Sequence, residues 1–361
     1  MQRSLDRKEL IIKLLEIYSN NHRTFFLKLV FNMKLLVFEY STCTYMSNLL
    51  SEGTNMLKSI LYDLDLVEEY TVDYLIHSSI MIDGLVNCSC IKIDENLMDW
   101  LDDNVKTYDY VLFIAPEDDY IQYLITRTIE KYDVNIIGCN SIASMICCSK
   151  SKSYEYVNDN ITKIPSLYFN IDDVDMNLIS DKLSDNLIIK PDDKTSSDYI
   201  YHIHNMEQLK EILEEYHKNN IARCIIQEYV KGRSVSVSVI CNKNNIQILS
   251  VNSQEVKEEN DKITYLGCKS PINDEKEEEL HVMTKEIIND IPGLSGFIGI
   301  DYIIDNDKIY FVEINSRITT PYIILSRNCN VNLTKYLIES VVNHRNDNIS
   351  FKKDDVFFKE E

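Results

Sequence analysis

The stretch GFIGIDYIIDNDKIYFVEINSRITTP, residues 296–321, decides how this chain is read. Two apolar runs flank the polar residues Asn306, Asp307 and Lys308, the pattern of an antiparallel β-hairpin. With those three residues as the loop, Asp305 pairs with Ile309, Ile303 with Phe311 and Asp301 with Glu313. Asn315 lies two residues beyond Glu313, so strand alternation puts both side chains on one face. Asp301, Glu313 and Asn315 then share one surface of an otherwise apolar hairpin. Two carboxylates opposed across strands repel unless a cation lies between them. Hard oxygen donors suit Mg2+, with Mn2+ as a substitute, and leave positions for water and phosphate oxygens. Arg317, two residues further on, faces the same way, toward the charge of a transferring phosphoryl group. The competing explanation is a solvated acidic hairpin, and the apolar flanks argue against it.

Working outward, the 361-residue chain has a formal net charge of −21. That charge repels nucleic acid and anionic membrane surfaces, so neither is expected as a partner. Any site for a phosphorylated ligand must gather its own cations. The ten cysteines show no CxxC pair and no regular spacing, as in a reducing cytoplasm. His202 and His204 share one face of a strand, but no nearby cysteine or histidine completes a zinc set, and no metal role is expected of them. The apolar stretch from Phe25 to Phe38 is interrupted by Lys28, Asn32 and Lys34 and is too short to span a bilayer. Acidic residues at Asp6, Glu9 and Glu16 do not suit a signal peptide. The expectation is a cytoplasmic protein acting on small molecules, with a homo-oligomer left open.

The periodicities predict an α/β organisation. Residues 1–32 read as an amphipathic helical extension outside the catalytic unit. MKLLVFEY opens at Met33 as a buried strand, and strands alternate with helices to about residue 145, the pattern of a parallel sheet. In that unit SEGTNMLKSILYDLDL presents Met56, Leu57, Ile60, Leu61 and Leu64 along one helix face. SIASMICCSKSKSYEYV reads as one helix, and the remainder is richer in strands. The boundaries expected are 33–145 for a nucleotide-fold-like unit, 146–226 and 227–345 for two further lobes, and 346–361 for a charged tail.

With these residues in place, the sequence resembles the ATP-grasp superfamily. The Asp301 and Glu313-x-Asn315 pattern is similar to that family's magnesium signature. Three more motifs fall in the same order. Lys150 in CCSKSKSYEY resembles the lysine at the entry to the central lobe, and Lys190 in NLIIKPDD resembles the strand-end lysine that reaches the ATP phosphates. IIQEYVKGRS resembles the linker that receives adenine, which implies a nucleotide role for Gln227, Glu228, Tyr229, Val230 and Ser234. Over residues 33–345 the resemblance implies a Rossmann-like first domain, a two-lobed ATP-grasp domain, and MgATP as cofactor. It implies Lys190 and Arg317 as residues acting on the transferring phosphate. LVFEY, FIAPEDD, YLGCKSPI and EINSRITTPY narrow the likeness to the archaeal tyramine–glutamate ligases of methanofuran biosynthesis. That narrower resemblance implies formation of a glutamyl γ-phosphate, attack by the amine of tyramine, and release of ADP and phosphate. Glu39, Tyr40 and Glu52 are candidates for the acceptor site because α/β ligand sites gather at strand carboxyl ends, and Lys269 is a candidate for steering the carboxylate.

Two features depart from the family pattern. The run after Pro191, DDKTSSDYIYHI, has no glycine, although backbone cradling of phosphate favours glycine. Lys194, Thr195, Ser196 and Ser197 are left to supply charge and hydroxyls. Gly232 is followed by Arg233 and Ser234, where many relatives place a ribose-binding glutamate. Two alternatives therefore stay open: a ligase with a different amine or amino-acid acceptor, and a nucleotide-binding protein with impaired catalysis.

Overall fold

A computed structural model describes residues 33–195, 199–352 and 354–358. The helix read over residues 1–32 and the hydroxyls of Ser196 and Ser197 lie outside the described residues. The first sheet is wholly parallel. Its strands are β1 (Met33–Glu39), β2 (Tyr70–His77), β3 (Cys88–Ile93), β4 (Tyr110–Ile114) and β5 (Asn135–Ile136), in the spatial order β3-β2-β1-β4-β5. Between them run α1 (Tyr40–Thr44), α2 (Leu50–Asp65), α3 (Leu97–Asn104) and α4 (Ile121–Glu130).

Alternation along β1 explains why both faces of this sheet are covered. Leu35 and Val37 join Met56, Leu57, Ile60, Leu61 and Leu64 of α2 on one side. Leu36 and Phe38 join Trp100 and Leu101 of α3 and Ile125 of α4 on the other. A central parallel strand buried on both faces reads as a continuous apolar run, as LLVF does here. The strand order reverses beside β1, so the carboxyl ends of β1 and β4 open the crevice where doubly wound folds bind ligands. Glu39 ends β1, and Glu117 follows β4 within three residues.

Two helices, α5 (Ser141–Cys147) and α6 (Lys150–Tyr156), lead to the second sheet. They correct the single helix expected there: the chain breaks at Cys148 and Ser149, and Ser149 caps α6 by accepting from Lys152 N. The second sheet is antiparallel along its main path. One half holds β6 (Ser166–Asn170), then, after α7 (Met176–Lys182), β7 (Leu187–Pro191) and β8 (Tyr201–Ile203), and, after α8 (Met206–Lys218), β9 (Arg223–Glu228). Leu209, Ile212 and Tyr216 of α8 pack on Leu187, Ile189, Cys224 and Ile226.

The other half holds β10 (Arg233–Asn242), β11 (Asn245–Glu259), β12 (Lys262–Ile272), β13 (Gly296–Asp305) and β14 (Lys308–Asn315), with α9 (Glu277–Asp290) packed on its back. Helices α10 (Pro321–Asn328) and α11 (Leu333–Asn343) join the core of α2 and β1, and β15 (Asp355–Phe358) pairs with β12. The spatial order is β14-β13-β10-β11-β12-β8-β7-β9-β6. The hairpin β11–β12 therefore reaches across to β8 and joins the halves into one continuous sheet.

The metal-type hairpin departs from its expected register. Asp305 pairs with Lys308 rather than Ile309, and Ile303 with Tyr310 rather than Phe311, because the turn is two residues long, with Asn306 at φ 51°. A bulge between Asp301 and Tyr302 absorbs the one-residue difference, and Asp301 still opposes Glu313.

Candidate functional site

A cavity with a volume of about 430 Å³ lies where the two sheets face each other. Glu39 and Glu52 enter it from the first sheet, and Lys150, Lys190, Asp301 and Arg317 from the second. The fold brings together Lys150, Lys190, Gln227, Glu228, Tyr229, Val230, Ser234, Asp301, Glu313, Asn315 and Arg317, all of which line it.

At its floor Asp301 and Glu313 face each other across β13 and β14. Asp301 accepts from Gln254 Nε2 at 3.1 Å and from Asn315 Nδ2 at 3.2 Å. Burial and the neighbouring Glu313 nevertheless push its carboxyl up to about 7. Burial also acts to raise Glu313, but Lys150 and Lys190 outweigh it and hold that carboxyl below its ordinary value. Lys150 Nζ lies 3.5 Å from Glu313 Oε2. Lys190 is only 5% exposed, and burial, with Lys150 adding to it, lowers its ammonium to about 8. Opposed carboxylates beside two lysines are groups that suit a divalent cation and a polyphosphate. The all-oxygen donor set of Asp301, Glu313 and Asn315 fits magnesium.

Local structure aims the lysines. The break between α5 and α6 lets Ser149 donate to Asp192 Oδ2 at 2.7 Å and Ser151 N donate to Asp192 Oδ1 at 2.7 Å. Lys150 N donates to Asp192 O at 3.0 Å, so the lysine at the start of α6 is tied to the turn that follows Lys190. That turn is fastened in its own right. Thr195 N donates to Asp118 Oδ1 at 2.5 Å, and Lys194 Nζ lies 2.6 Å from Asp119 Oδ2. The acidic residues after β4 thus hold Lys194 and Thr195.

Arg317 is set by a residue that sequence reading missed. Its Nε donates to Glu117 Oε2 at 2.8 Å, and Glu117 is 3% exposed. Burial pushes the Glu117 carboxyl up despite the guanidinium, while the same carboxylate raises Arg317 against the opposing effect of burial. The adjoining Ser316 is clamped by Gln122, which donates to Ser316 O at 2.6 Å and accepts from its hydroxyl at 2.8 Å. The available signal for Glu117 was an acid directly after the strand in FIAPEDD; for Gln254 there was none.

The linker residues divide by role. Gln227 is buried and donates to Tyr154 Oη at 2.9 Å and Ser166 Oγ at 2.7 Å, which fixes the strand end. Glu228 N donates to Pro165 O and Tyr229 N to Asn186 O, so those two amides are already used. Tyr229 stacks on His202 with ring centroids 4.0 Å apart. Arg233 turns away and forms a two-pronged pair with Asp274.

The acceptor candidates separate as well. Glu39 lines the cavity but caps α1, accepting from Ser41 N at 2.9 Å and Thr42 N at 2.8 Å, and burial raises its carboxyl. Glu52 lines the cavity beside Tyr265 and accepts from the Thr320 hydroxyl. Tyr40 packs with the α3 core instead of the cavity, and Lys269 lies on β12, outside the cavity lining, 2.6 Å from Asp354. Among the described residues no helix is long and apolar enough to cross a membrane.

The ATP-grasp domain family matches residues 147–321. The tyramine–L-glutamate ligase of Methanocaldococcus fervens is 29% identical over 326 residues, which cover 88% of this chain and 96% of that protein. The D-alanine–D-alanine ligase of Flavobacterium psychrophilum is 32% identical over 199 residues, covering 52% of this chain and 59% of that protein. In fold, N5-carboxyaminoimidazole synthetase from Staphylococcus aureus, solved with ADP, superposes with a TM-score of 0.71 at 16% identity, over 90% of this chain and 82% of that one.

Proposed function

The chain belongs to the ATP-grasp superfamily, and from that premise we propose that it is a carboxylate–amine ligase joining the side-chain carboxylate of glutamate to tyramine. The observation that carries the reading is the convergence of Asp301, Glu313, Lys150, Lys190 and Arg317 on one cavity that Glu52 also lines. The similarity to tyramine–L-glutamate ligase over nearly its whole length supports the choice of substrates.

Asp301, Glu313 and Asn315 would hold magnesium, which neutralises and orients the transferring phosphate when bound. Lys150 and Lys190 meet the phosphate oxygens of ATP with charge that burial keeps unscreened. An oxygen of the glutamate carboxylate attacks the terminal phosphorus, the bond to ADP breaks, and an acyl phosphate forms. Arg317, held in line by Glu117, donates to the oxygens of that group as it transfers. The amine of tyramine then attacks the acyl carbon, phosphate leaves, and the amine loses a proton to solvent or phosphate. Glu52 is the acid positioned for the incoming ammonium, with the Tyr265 ring beside it as an apolar wall. Lys194 and Thr195, pinned to Asp119 and Asp118, stand beside the phosphate site in place of a glycine-rich cradle.

The test uses glutamate labelled with ¹⁸O in its side-chain carboxylate, together with tyramine and MgATP. The reading expects γ-glutamyltyramine by mass and one ¹⁸O atom in the released phosphate. Unlabelled phosphate would overturn the acyl-phosphate route. A product formed with another amine but not tyramine would keep the ligase reading and overturn the acceptor.

A further inference from the structure

The tip of the β11–β12 hairpin is the only place along the main sheet path where the two halves of the second sheet pair, among the described residues. Lys262 pairs with Tyr201, His202 N donates to Asp261 O at 2.8 Å, and Ile263 N donates to Ile200 O at 3.1 Å. Beside this junction stand His202 and His204 from the β8 side and Glu258 from β11, with one ligating atom of each within 4.8 Å of the others. In sequence the acid lies far from the two histidines, which is why spacing gives no metal motif.

Oxygen acceptors stand beside the nitrogens of both rings. His202 Nε2 lies 2.5 Å from Asn186 Oδ1, and Nδ1 lies 2.6 Å from Glu258 Oε1. A neutral imidazole carries one N–H, so one nitrogen would face an oxygen lone pair unless a cation stands there. With its proton on Nε2 toward Asn186, His202 offers Nδ1 on the Glu258 side. His204 Nε2 lies 3.3 Å from Asp261 Oδ1, and Asp261 is itself held by Gln208 Nε2 at 2.9 Å. That contact leaves Nδ1 of His204 as its ligating nitrogen. An oxygen acceptor on the second ring nitrogen is the usual support for a metal-bound histidine.

We propose that His202, His204 and Glu258 form a site for a zinc-class transition-metal ion that fastens the β11–β12 hairpin to β8. Two imidazoles and a carboxylate suit zinc or cobalt in four-coordinate geometry, with water as the fourth donor. This donor set is distinct from the oxygen-only cluster at Asp301. Glu258 and Tyr229 both line the large cavity, and Tyr229 stacks on His202. An ion here therefore fixes one wall of the cavity by tying its two sides together.

The experiment takes the full chain, stripped with a chelator, and titrates it with Co2+ alone. The expected result is one equivalent with the strong visible d–d absorption of a tetrahedral site, displaced by Zn2+. His204 is exposed, so His204→Ala leaves the core intact; it is expected to abolish that absorption and weaken binding by about 10- to 100-fold. Asp301→Asn is expected to leave the absorption unchanged. Zn2+ should also protect the hairpin from limited proteolysis in the wild type but not in His204→Ala. Absorption that survives His204→Ala, or no saturable binding to the wild type, overturns the site.

Discussion

Replacing Glu117 by alanine removes the carboxylate that holds Arg317. The ion pair spans 2.8 Å, with the Glu117 side chain 4% and the Arg317 side chain 17% exposed, so solvent screening discounts it little. Two unit charges about 4 Å apart attract by about 4 kcal/mol at an effective dielectric constant of about 20. Against this, burial pushes the Glu117 carboxyl up, and its Oε1 is buried with no hydrogen-bond partner among the described residues. Removing the acid relieves that penalty but strands a buried guanidinium, a change that typically costs about 3–5 kcal/mol. We expect Glu117→Ala to lose about 3 kcal/mol, at the low end of that range, because the relief is real. Glu117→Gln, which keeps an oxygen acceptor for Nε, should lose about 1.5 kcal/mol. The assay is urea unfolding of the nucleotide-free protein, followed by fluorescence of Trp100, the single tryptophan, which is buried beneath β1. Raising the salt concentration should leave the difference in place, since a buried pair is poorly screened. A loss within about 0.5 kcal/mol of zero, or one that disappears at high salt, would refute a buried pair holding the arginine.

Other changes have equally definite outcomes. Asp301→Asn removes a carboxylate that burial and Glu313 have pushed up to about 7; it should raise the thermal midpoint of the metal-free protein while cutting MgATP turnover by about 10²–10³-fold, and a lowered midpoint contradicts the opposed-carboxylate account. Burial holds Lys190 at about 8, so above that pH the free protein carries it neutral. A bound phosphate favours the charged form; nucleotide binding there should take up a proton and weaken with rising pH by at most about tenfold per unit. Calorimetry in buffers of differing ionisation enthalpy reads this uptake, and heats independent of buffer above pH 8 would be contrary. Gly53→Ala would set a Cβ 2.3 Å from Glu39 Oε2 and 2.4 Å from Ser41 Oγ. The gain of about 1 kcal/mol usual for alanine in a helix should turn into a loss of about 1–3 kcal/mol, seen as a lower urea midpoint.

What the sequence revealed was what strand periodicity and chain order encode. The Asp301, Glu313 and Asn315 triad was legible because the two strands are adjacent in the chain and the alternation is strict. Lys150 and Lys190 were legible only as members of an ordered set of motifs, since a lysine at a strand end is otherwise unremarked. The two-residue turn and its compensating bulge were not legible, because apolar alternation fits either register until a bulge is allowed. Ser149 looked like a helix-interior residue, and its bond to Asp192, which arrives from a distant turn, leaves no local pattern. Glu117, Gln254 and Glu258 take their meaning from partners between 47 and 200 residues away, beyond any local pattern. The glycine-free phosphate segment looked like a defect in sequence. In the structure, Asp118 and Asp119 hold its first residues, Thr195 and Lys194.

The measurement that bears most directly on the central claim is ADP release by the purified full chain under MgATP. Glutamate and tyramine are supplied singly and together. ADP forming at a substantial rate only when both are present is the result predicted for a ligase that builds an acyl phosphate and passes it to an amine. No ADP under any pairing of carboxylate and amine, in a protein that still binds the nucleotide, would contradict it.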